Sequence, residues 1–146
     1  MTRTATLEDA VSIAALAHRG QKDKAGAPYL LHPLRLMLRM NSEAAMMAAV
    51  LHDVVEDTAW TIEQLREQGF PGEVLEAVEC LTRRGGEGYE EFIGRVQKNQ
   101  VAREVKVADL EDNMNIRRIG QISAKDLERL ERYHRAWCVL TKAGDI

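Results

Sequence analysis

Cysteine, proline and aromatic residues are all scarce in this chain of 146 residues: two Cys, three Pro and 5% Phe, Trp and Tyr. Two cysteines give no disulfide framework, and Cys80 and Cys138 lack the spacing of a metal-binding pair, so both read as buried thiols in a reducing, cytoplasmic compartment. No apolar stretch reaches the roughly 18 residues of a membrane span, and the N-terminus lacks the continuous apolar run of a signal peptide. Period-two alternation, the mark of a half-buried strand, is missing throughout. Excess charge of either sign is missing too. A formal net charge of −3 argues against a broad nucleic-acid surface and leaves room for a local basic patch that holds a small phosphorylated ligand. The 45% hydrophobic and 29% charged content is that of an ordinary globular protein, and the length fits one domain, 1–146, with a real core.

What is present reads almost entirely as helix. Thr6-Leu7-Glu8-Asp9 is a capping box that opens a first helix reaching about Arg19. Residues 20–28, with Gly26 and Pro28, form a loop, and Pro33 sits in the first turn of a second helix running to about Met40. Asn41-Ser42 breaks that helix and caps a third. Thr61 and Gln64 make another capping box, with Gly69 ending its helix; further helices are expected at Gly72 to about Leu81, Tyr89–Lys98 and Val101–Met114. Ser123 caps a last helix to about Lys142, and Arg83 to Gly88, with three glycines, reads as a mobile loop. Met37, Met40, Met46 and Met47 read as core or interface filler, and Trp60 and Trp137 as packing residues. The sum is an all-α bundle of about seven to nine helices.

The most informative stretch follows the apolar run Ala44-Ala45-Met46-Met47-Ala48-Ala49-Val50-Leu51, which predicts a helix buried on every side. It ends in His52-Asp53-Val54-Val55-Glu56-Asp57. Three acids at the C-terminus of a buried helix face both desolvation and an unfavourable dipole, and a bound cation relieves both. On one continuous helix His52 and Glu56 stack at i, i+4, as do Asp53 and Asp57, in stripes about 100° apart. One set can then ligate a metal while the other faces a water. Asp109 and Asn113 share a helix face in Lys106-Val107-Ala108-Asp109-Leu110-Glu111-Asp112-Asn113; Glu111 and Asp112 read as surface charges. His32 lies at a loop-to-helix junction among apolar residues. Two imidazoles and two carboxylates form a mixed nitrogen and oxygen set that suits Mn, Fe or Zn better than Ca or Mg. Arg19, Lys22 and Lys24 supply a basic cluster just before His32, and Arg83, Arg84 and Tyr89 border the glycine loop, where they are candidates for a lid.

Four segments in order, Ala17-His18-Arg19-Gly20-Gln21, Gly26-Ala27-Pro28-Tyr29-Leu30-Leu31-His32-Pro33, Leu51-His52-Asp53-Val54-Val55-Glu56-Asp57-Thr58, and Lys106-Val107-Ala108-Asp109 with Asn113, resemble the HD phosphohydrolase superfamily. Their nearer likeness is to the hydrolase domain of RelA/SpoT-type proteins and to stand-alone small alarmone hydrolases. The resemblance implies an all-helical fold, a Mn2+ ion, and removal of the 3′-diphosphate from guanosine tetra- or pentaphosphate. By it His32, His52, Asp53 and Asp109 are the metal ligands, Glu56 and Asp57 handle the attacking water, and Asn113 lines the nucleotide site; with His32 a ligand, the loop carrying Arg19, Lys22 and Lys24 lies near the metal, where these residues are candidates to bind phosphate. The pattern departs from the family at Asp23, where an Arg that packs on the guanine ring is usual, and at Leu110, where a basic residue is common. Asp23 leaves open another nucleotide phosphate, an adenosine alarmone or NADPH among them, and a non-catalytic nucleotide-binding module is the remaining alternative. The chain also stops where a synthetase domain would begin, so it is expected to degrade alarmones and make none. Oligomeric state is left open.

Overall fold

Capping residues set most helix starts. In the computed structural model, which describes residues 3–142, Thr6 accepts from the Asp9 N–H, and the Asp9 carboxylate accepts in return from the Thr6 N–H, opening α1 (Leu7–Ala17). Pro33 falls within the first turn of α2 (Leu31–Leu38), where its missing N–H costs nothing. Ser42 accepts from the Ala45 N–H at the start of α3 (Glu43–Leu51), and Thr61 with Gln64 closes a second capping box at α5 (Ile62–Glu67). Helices α6 (Gly72–Cys80), α7 (Tyr89–Gln97), α8 (Gln100–Asn113) and α9 (Ala124–Lys142) follow. With the four-residue α4 (Val54–Asp57) there are nine α-helices and one 3-10 turn (Ile116–Arg118) among the described residues, and no strand. The fold is all-α, as the sequence predicts.

Helix α3 is the axis of the bundle. It packs on α1, α2, α6 and α8, and Ala45, Met47, Ala48, Ala49, Val50 and Leu51 are all buried. Its small residues let four neighbours approach closely, and full burial of a side chain such as Leu51 contributes about 1.5–3 kcal/mol. Placing α3 at the centre drives its polar C-terminal residues into the interior, where α2 and α8 meet it.

Three expectations need correction. The apolar helix does not continue through the acidic stretch. It ends at Leu51, His52 and Asp53 form a break, and α4 is a separate short helix that Thr58 closes by donating its hydroxyl to the Val54 carbonyl. Segment 83–88 is not a free loop. Arg95 grips Glu87 with two N–H groups, Nε–Oε2 at 2.6 Å and Nη2–Oε1 at 2.9 Å, and also donates to the Thr82 carbonyl at 2.9 Å. Cys80 and Cys138 are half-buried rather than buried, and both are free thiols. No described helix is long and apolar enough to cross a membrane.

Candidate metal centre and adjoining cavity

His32, from the first turn of α2, His52, from the α3–α4 break, and Asp109, from α8, meet at one point. One ligand atom of each lies within 4.8 Å of the others, a group able to hold a metal ion. His32 Nε2 is 2.8 Å from Asp109 Oδ1, and His52 Nε2 is 3.5 Å from the same oxygen. Asp53 joins through Oδ2, 2.9 Å from His52 Nε2. In a continuous helix neighbouring side chains diverge by about 100°. The break after Leu51 is what lets His52 and Asp53 aim at the same centre.

The outer hydrogen bonds fix both imidazoles in one tautomer. His52 Nδ1 donates to the Ala49 carbonyl at 2.7 Å, and His32 Nδ1 donates to Asp112 Oδ2 at 2.6 Å. Each ring therefore turns its Nε2 edge inward, the arrangement that orients metal-bound histidines. His52 Nε2 is buried and makes no hydrogen bond although two carboxylates face it. A lone pair and two carboxylate oxygens around one buried point call for a positive charge between them. The donor set and this orphaned nitrogen both fit a divalent cation.

The charges agree with that reading. Burial works against Asp109 ionising, yet Lys106, the hydrogen bond from His32 and the nearby His52 ring outweigh it and hold the carboxyl well below its usual range. Lys106 donates to Asp109 Oδ2 at 2.9 Å; burial opposes its charge, and Asp109 more than restores it. Burial likewise opposes the imidazolium forms, but Asp53 and Asp109 raise His52 well above the ordinary histidine value, and Asp109 and Asp112 raise His32; the carboxylates thus call for a positive charge at the Nε2 edges, which a proton supplies to the free rings and a cation would supply in its place. Burial and then Asp53 push the Tyr29 hydroxyl upward, so it stays protonated and donates to Asp53. Glu56 and Asp57 stand at the exposed edge of the centre, each raised first by burial and then by Asp53. Glu56 also accepts the Arg83 N–H at 3.3 Å.

A cavity of about 320 Å³ adjoins the centre. Tyr29, hydrogen-bonded to Asp53, and Asn113, donating to Asp109 Oδ1 at 3.2 Å, line both. Lys22 and Lys24 line it, together with Asp23, Arg118, Arg129 and Tyr133. Arg19 is exposed and does not line the cavity. Arg83, Arg84 and Tyr89 do not line it either.

Sequence reasoning missed Asp112 and Arg118. Asp112 is no surface charge: its side chain is 11% exposed, and besides His32 it binds Arg35 through two contacts, 2.8 and 2.9 Å. The signal was available, because Asp112 lies at i+3 from Asp109 and so on a neighbouring face of α8. Glu111 is likewise engaged, accepting from Trp137 Nε1 at 2.9 Å and pairing with Arg39. Arg118 carried no signal at all, since it lies in a 3-10 turn outside every recognised segment.

Residues 10–128 match the family described as HD domain. The chain belongs to the HD-domain family. Among its relatives, a guanosine-3′,5′-bis(diphosphate) 3′-pyrophosphohydrolase of Aquifex aeolicus is 31% identical over 120 residues, 74% of this chain and 17% of the relative. A protein of the same description from Haemophilus influenzae is 43% identical over 76 residues, 49% of this chain and 11% of its own length. The chain thus spans only a small part of these curated relatives. A solved structure described as a metazoan ortholog of SpoT, which hydrolyses ppGpp and plays a role in starvation responses, shares the fold of this HD-domain chain with a TM-score of 0.75 at 25% identity. That likeness covers 98% of this chain and 87% of the other.

Proposed function

We propose that this HD-domain chain is a hydrolase that removes the 3′-diphosphate from guanosine tetra- or pentaphosphate, with Mn2+ as its cofactor. The observation that carries the reading is the convergence of two inward-turned Nε2 atoms on Asp109 beside a cavity with Lys22 and Lys24 on its wall. His32, His52, Asp53 and Asp109 hold the ion. The ion, when bound, supplies the positive charge that polarises a phosphoryl oxygen and makes a water more acidic. The activities of the relatives support the substrate, and the unpaired Cys80 and Cys138 support a reducing, cytoplasmic setting.

The chain's own residues divide the work. Lys22 and Lys24 attract the phosphates, and Asn113 and Tyr29 form the floor between cavity and centre. Tyr29, by donating to Asp53, and Lys106, by donating to Asp109, keep those carboxylates ionised and oriented. Glu56 and Asp57, made more basic by burial and Asp53, orient the attacking water and take its proton; the oxygen–phosphorus bond forms, the bond to the 3′-oxygen breaks, that oxygen takes up a proton to become the 3′-hydroxyl, and pyrophosphate is released. Incubating the Mn2+-loaded protein with guanosine tetraphosphate tests this directly. Release of pyrophosphate and guanosine 5′-diphosphate is expected; no release from stoichiometrically loaded protein overturns the reading.

A further inference from the structure

Asp23 stands where the resemblance leads one to expect a basic residue, and its two carboxylate oxygens have separate surroundings. Oδ1 accepts from the Ala25 and Ala27 N–H groups, both at 2.9 Å, and so builds the turn that shapes residues 23–27. Oδ2 makes no hydrogen bond and lies 3.9 Å from Arg118 Nη1, on the cavity wall. The other carboxylate on that wall, Asp126, is spent: Oδ1 accepts from Arg129 at 2.8 Å and Oδ2 from the Ser123 backbone and hydroxyl at 2.9 Å. Among the described residues lining the cavity, Asp23 Oδ2 is therefore the carboxylate oxygen left to accept from a ligand.

Arg118 is equally divided. Its Nη2 donates to the Asp112 carbonyl at 2.6 Å and lies 3.3 Å from Asp112 Oδ2, which anchors the guanidinium. Its Nε is buried without a partner, and Nη1 points to Asp23 without reaching it. An acceptor and a donor thus stand side by side, each fixed from behind and each unsatisfied in front.

That pattern is the complement of one edge of guanine. Along it, N1–H and the N2 amino group donate and the neighbouring O6 accepts. Adenine presents the reverse, an N6 amino donor beside an N1 acceptor, and would set the N1 lone pair against the carboxylate. We propose that Asp23 and Arg118 are the base-reading pair of this cavity, Asp23 accepting from guanine N1–H and N2–H while Arg118 donates to O6. The inference rests on the nucleotide reading given above and adds the residues that choose the purine. The charge exchanged at position 23 is supplied from the other wall by Arg118, so a guanidinium is retained at the base while a guanine-specific acceptor is gained. Sites built to hydrogen-bond a polar group discriminate strongly against analogues that leave it unpaired.

The decisive variant is Asp23→Asn, which keeps the oxygen that holds the turn and replaces Oδ2 by an NH2 donor. Equilibrium binding of GDP and of ADP to the wild type, Asp23→Asn and Arg118→Gln, with a melt of each, needs no turnover. The wild type is expected to favour GDP by tenfold or more, and Asp23→Asn to lose that preference at an unchanged melting temperature. Arg118→Gln is expected to narrow it. The ratio of kcat/KM for guanosine tetraphosphate over its adenosine counterpart should fall in parallel. Equal binding of GDP and ADP by the wild type, or a preference unchanged in Asp23→Asn, overturns the inference. GDP preference that vanishes in Asp23→Asn while neither tetraphosphate is cleaved would sustain it and reject only the hydrolase reading.

Discussion

Asp112 accepts the Nδ1 proton of His32 at 2.6 Å and is itself clamped by Arg35, so a residue on α8 sets the tautomer of an imidazole on α2. Replacing Asp112 with Asn weakens the acceptor and strands the Arg35 guanidinium. Outer-shell changes of this kind cost about 10–100-fold in metal affinity. Titration of the Asp112→Asn variant with Mn2+ is expected to show a loss in that range, with helical content retained. An affinity equal to the wild type's would show that Asp112 does not orient the ligand.

Glu56→Gln keeps the size of a side chain at the edge of the centre and removes its capacity to take a proton. Turnover of guanosine tetraphosphate should fall by about 10²–10⁴-fold. Mn2+ binding, measured calorimetrically, should persist, since Glu56 is not one of the inward-facing group. Wild-type turnover in this variant would remove Glu56 from the chemistry.

A divalent ion that binds only the folded arrangement stabilises it by mass action, about 2.7 kcal/mol at a free concentration one hundred times its Kd. Chelation should therefore lower the melting temperature by several degrees. Equal melts with and without chelator, after metal loss is verified by elemental analysis, would contradict a stabilising ion.

The Glu87 carboxyl is held down to about 2 by its hydrogen bonds from Arg95, then by the Arg84 N–H, against an ordinary value near 4.5. A depressed folded-state value means the stabilisation is complete above about pH 4.5 and is lost as the pH falls toward 2. Glu87→Gln should thus melt below the wild type at pH 6, and the gap should close progressively between pH 4.5 and 2. A gap independent of pH would show that the Arg95 pair acts through shape rather than charge.

Gly69 has φ of +96°, and a Cβ placed there would stand 1.9 Å from the Arg3 carbonyl oxygen. The same glycine accepts the Ala5 N–H at 3.0 Å, tying the segment before α1 to the end of α5. Gly69→Ala combines backbone strain with a collision against main chain, and is expected to cost about 2 kcal/mol or more in urea unfolding. A loss below half of that would mean residues 3–5 move aside freely.

His52, Asp53 and Asp109 were legible in the sequence because polar residues terminate or interrupt apolar runs, and desolvation makes such residues conspicuous. Helix starts were legible for a local reason, since Thr6, Ser42 and Thr61 satisfy N–H groups only three residues away. The break at His52–Asp53 was not, because nothing in Leu51-His52-Asp53-Val54 disfavours helix; tertiary convergence on α2 and α8 decides it. Arg95 and Glu87, eight residues apart, and Arg118 and Asp23, on different elements, follow no helical period, so no pattern could announce them. Asp112 reads as a surface charge because it follows Glu111 near the end of a helix, whereas Arg35 from α2 pairs with Asp112 and Arg39, just after that helix, pairs with Glu111.

His32 and Asp109 touch across 77 residues of chain. Closing so long a loop is entropically demanding, and contacts of this range form after local helices have condensed. The imidazole–carboxylate cluster is therefore complete only where α2, α3 and α8 have all docked, and a partly collapsed chain presents only scattered donors. A cation that needs the full set would favour, by mass action, molecules in which α8 has docked over those in which it has not.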